Sequence, residues 1–219
     1  MRGINGLIIF DKVKRFDPYQ VIKKMNNSLR HRGPDHDGVW FKENVFIGHR
    51  RLSIIDLSEK SNQPMKIDNH VITFNGEIYN YIELRTFLQN KGFKFTSSGD
   101  TEVLINAYKY FGVNVCKYLN GMFAFAILDL QKKRFFFARD PSGQKPLYYF
   151  KNENYFLFSS ELKSIIQTKL VNFKLDLQAV NQYLAYGHTI SPRSMIKSVK
   201  KLEPGTYLEL DLIKKLSKK

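Results

Sequence analysis

The sequence predicts an α+β fold, a four-layer αββα sandwich of two antiparallel sheets, and three observations carry that expectation. Strand-like segments follow one another through short turns, which favours antiparallel pairing over a βαβ array. Helical segments are inserted in pairs between runs of strands. Several aromatic-rich strands are apolar on both faces, as strands are when one sheet stacks on another and helices cover the outside. The chain has 219 residues, 43% hydrophobic and 14% aromatic with 18 Phe and 12 Tyr. That is enough to bury a sizeable core in one domain.

The elements follow in order. "GINGLIIF" begins an apolar strand almost at once, at Ile4. Asp17-Pro18 reads as an N-cap followed by proline at the first helical position, with Val21, Ile22, Met25 and Leu29 on one apolar face. "GVWF" (38–41), "VFIGH" (45–49), "RLSII" (51–55) and "HVITFN" (70–75) read as strands. Asn80 and Glu83 have the spacing of a capping box for a helix that stops near Gly92. Asp100 is expected to cap the next helix, which turns Val103, Leu104, Ala107 and Phe111 inward. "MFAFAILDL" (122–130) and "RFFFAR" (134–139) form an expected hairpin, and "LYYF" with "YFLFSS" a second. A helix over 176–186 and strands near 198–202 and 206–210 complete the pattern, and the terminal "KKLSKK" is expected to fray.

Composition narrows the function classes. The formal charge of +15 comes from 35 Lys+Arg against 20 Asp+Glu, but the lysines are dispersed and no recognition helix accompanies them. The excess is therefore read as a solvated surface, and no specific nucleic-acid partner is expected. No apolar run reaches the roughly 20 residues of a membrane helix, and no signal-peptide pattern is present. A single cysteine, Cys116, excludes an internal disulfide and suits a cytoplasmic location. Cys116 itself reads as buried filler rather than a nucleophile. His31 and His36 with Asp35 and Asp37 match no metal-ligand spacing, and no metal is expected.

Three short stretches carry chemistry. "GHRRLSIID" (48–56) places Arg51 where its guanidinium can fork onto a carboxylate. In "FNGEIYN" (74–80), Asn75 offers an amide and Gly76 a main-chain N–H that no Cβ shields, two donors suited to a developing oxyanion. "SSGDTEV" (97–103) offers Asp100 for an ammonium. Each has a plainer reading: a surface ion pair, a tight Asn-Gly turn, an N-cap. Together they describe a receptor for a free α-amino acid that lacks a nucleophile.

"GINGLIIF", "RHRGPD", "HRRLSIIDL", "FNGEIYNY", "SGDTEV", "NGMFAFAILD", "RDPSGQKPLYY" and "SSELKSI" occur in this order. They resemble the N-terminal class II glutamine amidotransferase (glutaminase) domain of glutamine-hydrolysing asparagine synthetases, which has the N-terminal-nucleophile hydrolase fold. The resemblance implies glutamine as substrate and ammonia as product, delivered to an ATP- and Mg-dependent synthetase domain that amidates aspartate. It places the glutaminase domain at 1–185 and the start of a linker toward an absent synthetase domain at 186–219. It implies that Arg51, Leu52, Ser53, Ile54, Ile55, Asn75, Gly76, Glu77 and Asp100 bind glutamine, with Asn75 and Gly76 as the oxyanion hole. The synthetase domain, on the same polypeptide or a separate chain, is the implied partner, and a homodimer is compatible with it.

The family begins Met-Cys-Gly-Ile, and its exposed Cys is the nucleophile. Here Arg2 stands in that position. A guanidinium is neither a nucleophile nor, at neutral pH, a base, so a glutaminase-deficient chain is expected. Alternatives are a non-catalytic glutamine-binding or synthetase-docking module, or an amidotransferase acting on a sugar-acid carboxylate.

Overall fold

The computed structural model describes residues 2–11, 16–53 and 56–218, the last three by backbone only. In chain order the elements are β1 (Gly3–Ile9), α1 (Pro18–Ser28), β2 (His36–Lys42), β3 (Val45–Arg51), β4 (Met65–Ile67), β5 (His70–Ile78), α2 (Tyr81–Asn90), α3 (Asp100–Phe111), β6 (Gly121–Asp129), β7 (Arg134–Arg139), β8 (Tyr148–Lys151), β9 (Tyr155–Ser159), α4 (Leu162–Ile166), α5 (Leu177–Tyr186), β10 (Val199–Lys201), β11 (Tyr207–Asp211) and β12 (Leu216–Lys218). Short 3₁₀ turns cover Arg30–Arg32, Glu59–Ser61 and Gly112–Tyr118.

Two six-stranded sheets result, in the orders β10-β8-β9-β1-β3-β2 and β12-β11-β7-β6-β5-β4. Their neighbouring strands pair antiparallel, as in β1 with β3 and β9, and β6 with β5 and β7. Side-chain alternation along each strand sets the layers. On β1, Ile4 and Ile8 face the second sheet, while Leu7 and Ile9 face α1 and α4. On β7, Phe135 and Phe137 enter the space between the sheets and Phe136 turns under α3. The middle core is largely aromatic: Phe137 lies 5.2 Å from Phe156 and 5.1 Å from Phe158. Gly6 makes room for that packing, because a Cβ there would enter the Phe158 ring. The expected αββα sandwich is thus observed.

Some local expectations change. Asp17 caps α1 as expected, accepting from Tyr19 N at 2.9 Å and Gln20 N at 3.4 Å. Asn80 precedes α2 but its side chain makes no cap. Its amide instead accepts from Asn120 N and donates to Tyr118 O, both at 2.9 Å. Asp100 is the first residue of α3, whose N-cap is Gly99. "RLSII" is not a strand at Leu52 and Ser53, where pairing has ended, and Ile54 and Ile55 lie outside the described residues. The Gly112–Tyr118 segment around Cys116 is a 3₁₀ helix. Within the terminal segment, expected to fray, β12 pairs with β11 through Glu209–Lys218 and Asp211–Leu216. Residues after 185 lay β10 on one sheet and β11 on the other. No helix among the described residues is long and apolar enough to cross a membrane.

Candidate active site at the head of β1

The apolar register of β1 against β3 and β9 leaves no freedom in where residue 2 emerges. It comes out at the end of the sandwich beside β5 of the other sheet. There the Arg2 main-chain N–H donates to Asn75 Oδ1 at 3.1 Å. From the other side Arg32 Nε donates to the Arg2 carbonyl at 3.1 Å, while Arg32 Nη1 reaches Glu161 at 2.9 Å. Arg2 is therefore held at both ends of its peptide and is only 7% exposed.

Asn75 faces the gap between the sheets from β5. Its Oδ1 is taken by Arg2, whereas its buried Nδ2 has no hydrogen-bond partner among the described residues. A buried amide without an acceptor costs free energy, and at a functional site such a donor points to a ligand position. The next residue, Gly76, lies against β6 so closely that a Cβ would collide with the Met122 carbonyl and sit 2.8 Å from Phe123 Cα. Any other residue would push β5 away from β6 and move Asn75 with it.

Asp100 is brought to the same place by α3 and is 1% exposed. Its Oδ2 accepts from Ile78 N at 3.1 Å, and its Oδ1 pairs with Arg2 Nη1 at 3.7 Å. Burial raises its carboxyl above the ordinary value, and the Arg2 charge works against that rise. Behind it, His49 is fully buried with Nε2 against the Phe74 carbonyl at 3.3 Å. Burial, then the Arg2 charge, lower its pKa well below the imidazole norm, so it is neutral and donates there.

The loop before α3 is clamped by residues that the sequence reading did not single out. The Glu102 carboxylate accepts from Thr96 N at 2.8 Å and from Ser97 N at 2.6 Å. Arg85 of α2 donates to Ser97 O at 2.8 Å and Gly99 O at 3.0 Å. Asp56 accepts from Ser98 N at 2.9 Å, Ser61 Oγ at 2.8 Å and Ser58 N at 2.8 Å. Only Glu102 left a trace in the sequence, as a second acid in the first turn of α3. Arg85 and Asp56 are far along the chain, and nothing local marks them.

The remaining expected residues divide. Leu52 presents its carbonyl to Arg2 Nε at 3.5 Å. Ser53 N is held by Asp35 Oδ2 at 2.8 Å. Glu77 follows Gly76 on β5 and is half-buried. Arg51 is buried, but its fork is turned onto the neighbouring loop: Nη1 donates to Ser58 O at 2.9 Å and to Asn62 Oδ1 at 2.6 Å, and Nη2 to Asp56 O. Cys116 packs against the core beneath α3, and burial pushes its thiol up to about 12. His31, considered for metal, meets Glu161 at 2.9 Å.

Comparison with known proteins gives this geometry a family. The model of the glutamine amidotransferase domain matches residues 1–218. The chain is 42% identical over 196 residues to asparagine synthetase (glutamine-hydrolyzing) 1 of Bacillus subtilis, covering 89% of this chain and 31% of that one. It is 40% identical over 239 residues to a Methanocaldococcus jannaschii protein provisionally named as a second synthetase of that kind, covering 98% and 45%. It thus spans less than half the length of these curated relatives. Among solved structures, the glutamine phosphoribosylpyrophosphate amidotransferase of Bacillus subtilis superposes with a TM-score of 0.71 over 99% of this chain and 49% of that one, at 21% identity, which speaks to the fold. The sandwich, the residue-2 position against Asn75 and the match along the chain lead to one conclusion: this chain belongs to the glutamine amidotransferase domain family.

Proposed function

We propose that the chain is the glutaminase domain of an asparagine synthetase-type enzyme and that, with Arg2 at the head of β1, it does not hydrolyse glutamine. The observation that carries this reading is the position of Arg2. Its main-chain nitrogen lies 3.1 Å from Asn75 Oδ1 and its side chain points at Gly76 and Asp100. A cysteine here, freed of Met1, would bring a thiol and an α-amine to the same point. The amine, with a pKa near 8, would take the thiol proton. The thiolate would attack the glutamine side-chain carbonyl, and Asn75 Nδ2 with the Gly76 N–H would receive the oxyanion. Ammonia would leave with the amine's proton, and water would release glutamate from the thioester. Arg2 supplies no nucleophilic atom for the first step.

Aspartate as the acceptor, and ATP with Mg as cofactors, belong to the synthetase part of such an enzyme. We assign them to that part and not to these residues. Asp100 and Arg51 would hold the two charged ends of glutamine, Arg51 after releasing its loop carbonyls. The test is glutamate release from glutamine by the unaltered chain and by Arg2→Cys with Met1 removed. Release by the Arg2→Cys chain alone supports the reading, and release by the unaltered chain refutes it.

A further inference from the structure

The Arg2 side chain is satisfied more fully than its removal from catalysis requires. Nη1 donates to the Gly76 carbonyl at 3.3 Å and pairs with Asp100 Oδ1 at 3.7 Å. Nε reaches the Leu52 carbonyl at 3.5 Å, and the guanidinium carbon lies 5.6 Å from the Phe74 ring centre. A buried carboxylate, two main-chain carbonyls and an aromatic ring make a cradle for an organic cation. Three of these four groups are independent of Arg2 in position: Asp100 is set by α3, and Gly76 and Phe74 by β5. Beside them the Asn75 Nδ2 has no partner among the described residues.

We infer that Arg2 is a tethered ligand: its guanidinium fills the cation end of the amino-acid pocket, so that free glutamine is excluded. This rests on reading the pocket as a glutamine site. The physical reason is competition for one counter-charge. Asp100 is 1% exposed and, among the described residues, pairs with a single cation. A glutamine ammonium would have to displace a guanidinium that is present at very high effective concentration because it is part of the chain. Displacing it from Asp100 would leave the buried Arg2 without a counter-charge. The inference removes glutamine sensing from the roles open to this chain. It also gives the cradle a ligand class of its own, alkylguanidinium ions.

Thermal unfolding and calorimetry test it on the whole chain. Glutamine at about 10 mM should leave the melting temperature of the unaltered chain unchanged. Arg2→Ala should melt lower and should be raised by ethylguanidinium chloride, relative to sodium chloride, by about 3–6 °C at ten times its Kd. Arg2→Ala combined with Asp100→Asn should lose that response. Absence of the response in Arg2→Ala, or an equal response in the double variant, overturns the inference. If Arg2→Ala does not fold, Arg2→Ser takes its place. If neither folds, titration of the unaltered chain decides, since glutamine binding there overturns the inference with no variant needed. Binding without glutamate release refutes the tethered ligand only, whereas glutamate release refutes the functional reading.

Discussion

Glu102→Gln removes one charge and replaces one oxygen by an amide nitrogen, at a position that is 3% exposed. The carboxylate accepts two backbone N–H groups, from Thr96 and Ser97, and two hydroxyls, from Ser97 at 2.6 Å and Thr96 at 3.2 Å. Hydroxyls can rotate and become acceptors for the new NH₂, but a backbone N–H cannot. With its oxygen at the Oε2 position the new amide still accepts from Ser97 N and from Thr96 N, which lies 3.0 Å from Oε2. Its NH₂ then faces the Thr96 N–H at the 2.8 Å Oε1 position, and that half of the shared bond becomes a donor conflict costing about 1–3 kcal/mol. Losing the charge weakens the remaining bond by up to about half. Against this, a neutral amide is easier to bury than a carboxylate. The donor conflict wins, and the expected net loss is about 2–3 kcal/mol. For a domain of this size that lowers the melting temperature by about 4–12 °C. The assay is thermal and urea unfolding beside the unaltered chain, with an unchanged urea m-value showing that the native fold is retained. Melting within about 2 °C would mean that Arg85 and Asp56 suffice to hold the loop, and the account of how Asp100 is positioned would fail.

On the Arg2→Cys chain freed of Met1, Asn75→Ala should lower glutaminase kcat by about 10²–10³ while the protein stays folded; an unchanged rate would remove Asn75 Nδ2 from the oxyanion hole. Gly6→Ala should destabilise by about 1–3 kcal/mol, because the added methyl enters the Phe158 ring between the sheets, and urea unfolding reads the loss. Burial alone would raise the Asp56 carboxyl, but hydrogen bonds from Ser58, Ser61 and Ser98 outweigh that and hold it well below the usual range. Its contribution is thus present above the unfolded pKa of about 3.9 and is lost as pH falls through the depressed folded value. Asp56→Ala should accordingly lose stability at pH 7 and approach the unaltered chain under strong acid, as measured by unfolding against pH. Cys116, with its thiol pushed up to about 12, should react with iodoacetamide at pH 8 about a hundredfold more slowly in the native protein than in urea; equal rates would mean that burial does not suppress the thiolate.

The layered fold was legible because its determinants are periodic. "RFFFAR" distributes its phenylalanines between two cores by strand alternation alone, and Asp17-Pro18 starts α1 through bonds within three residues. The family resemblance was legible in the ordered motifs. Where a polar side chain had a choice of partners, the sequence did not determine the outcome. Asn80 and Glu83 have capping-box spacing, yet the Asn80 amide bonds the turn at residues 118–120, which β6 brings alongside. Asp100 could cap its helix, but Ile78 of β5 and Arg2 claim its oxygens. Arg51 could meet a carboxylate, but the loop carbonyls of Ser58 and Asp56 are nearer. A hydrogen bond forms with whichever satisfied geometry the packed chain offers: Asp100 meets Ile78 across 22 residues, Asn80 meets Tyr118 and Asn120 across 38 and 40, and Arg51 meets Asp56 and Ser58 only 5 and 7 residues on. The sequence by itself determined that residue 2 carries no nucleophile. Only the tertiary structure decided that its guanidinium would find a buried carboxylate, two carbonyls and a ring, because those four groups come from three segments, α3, β5 and the chain after β3, that meet only when the two sheets close.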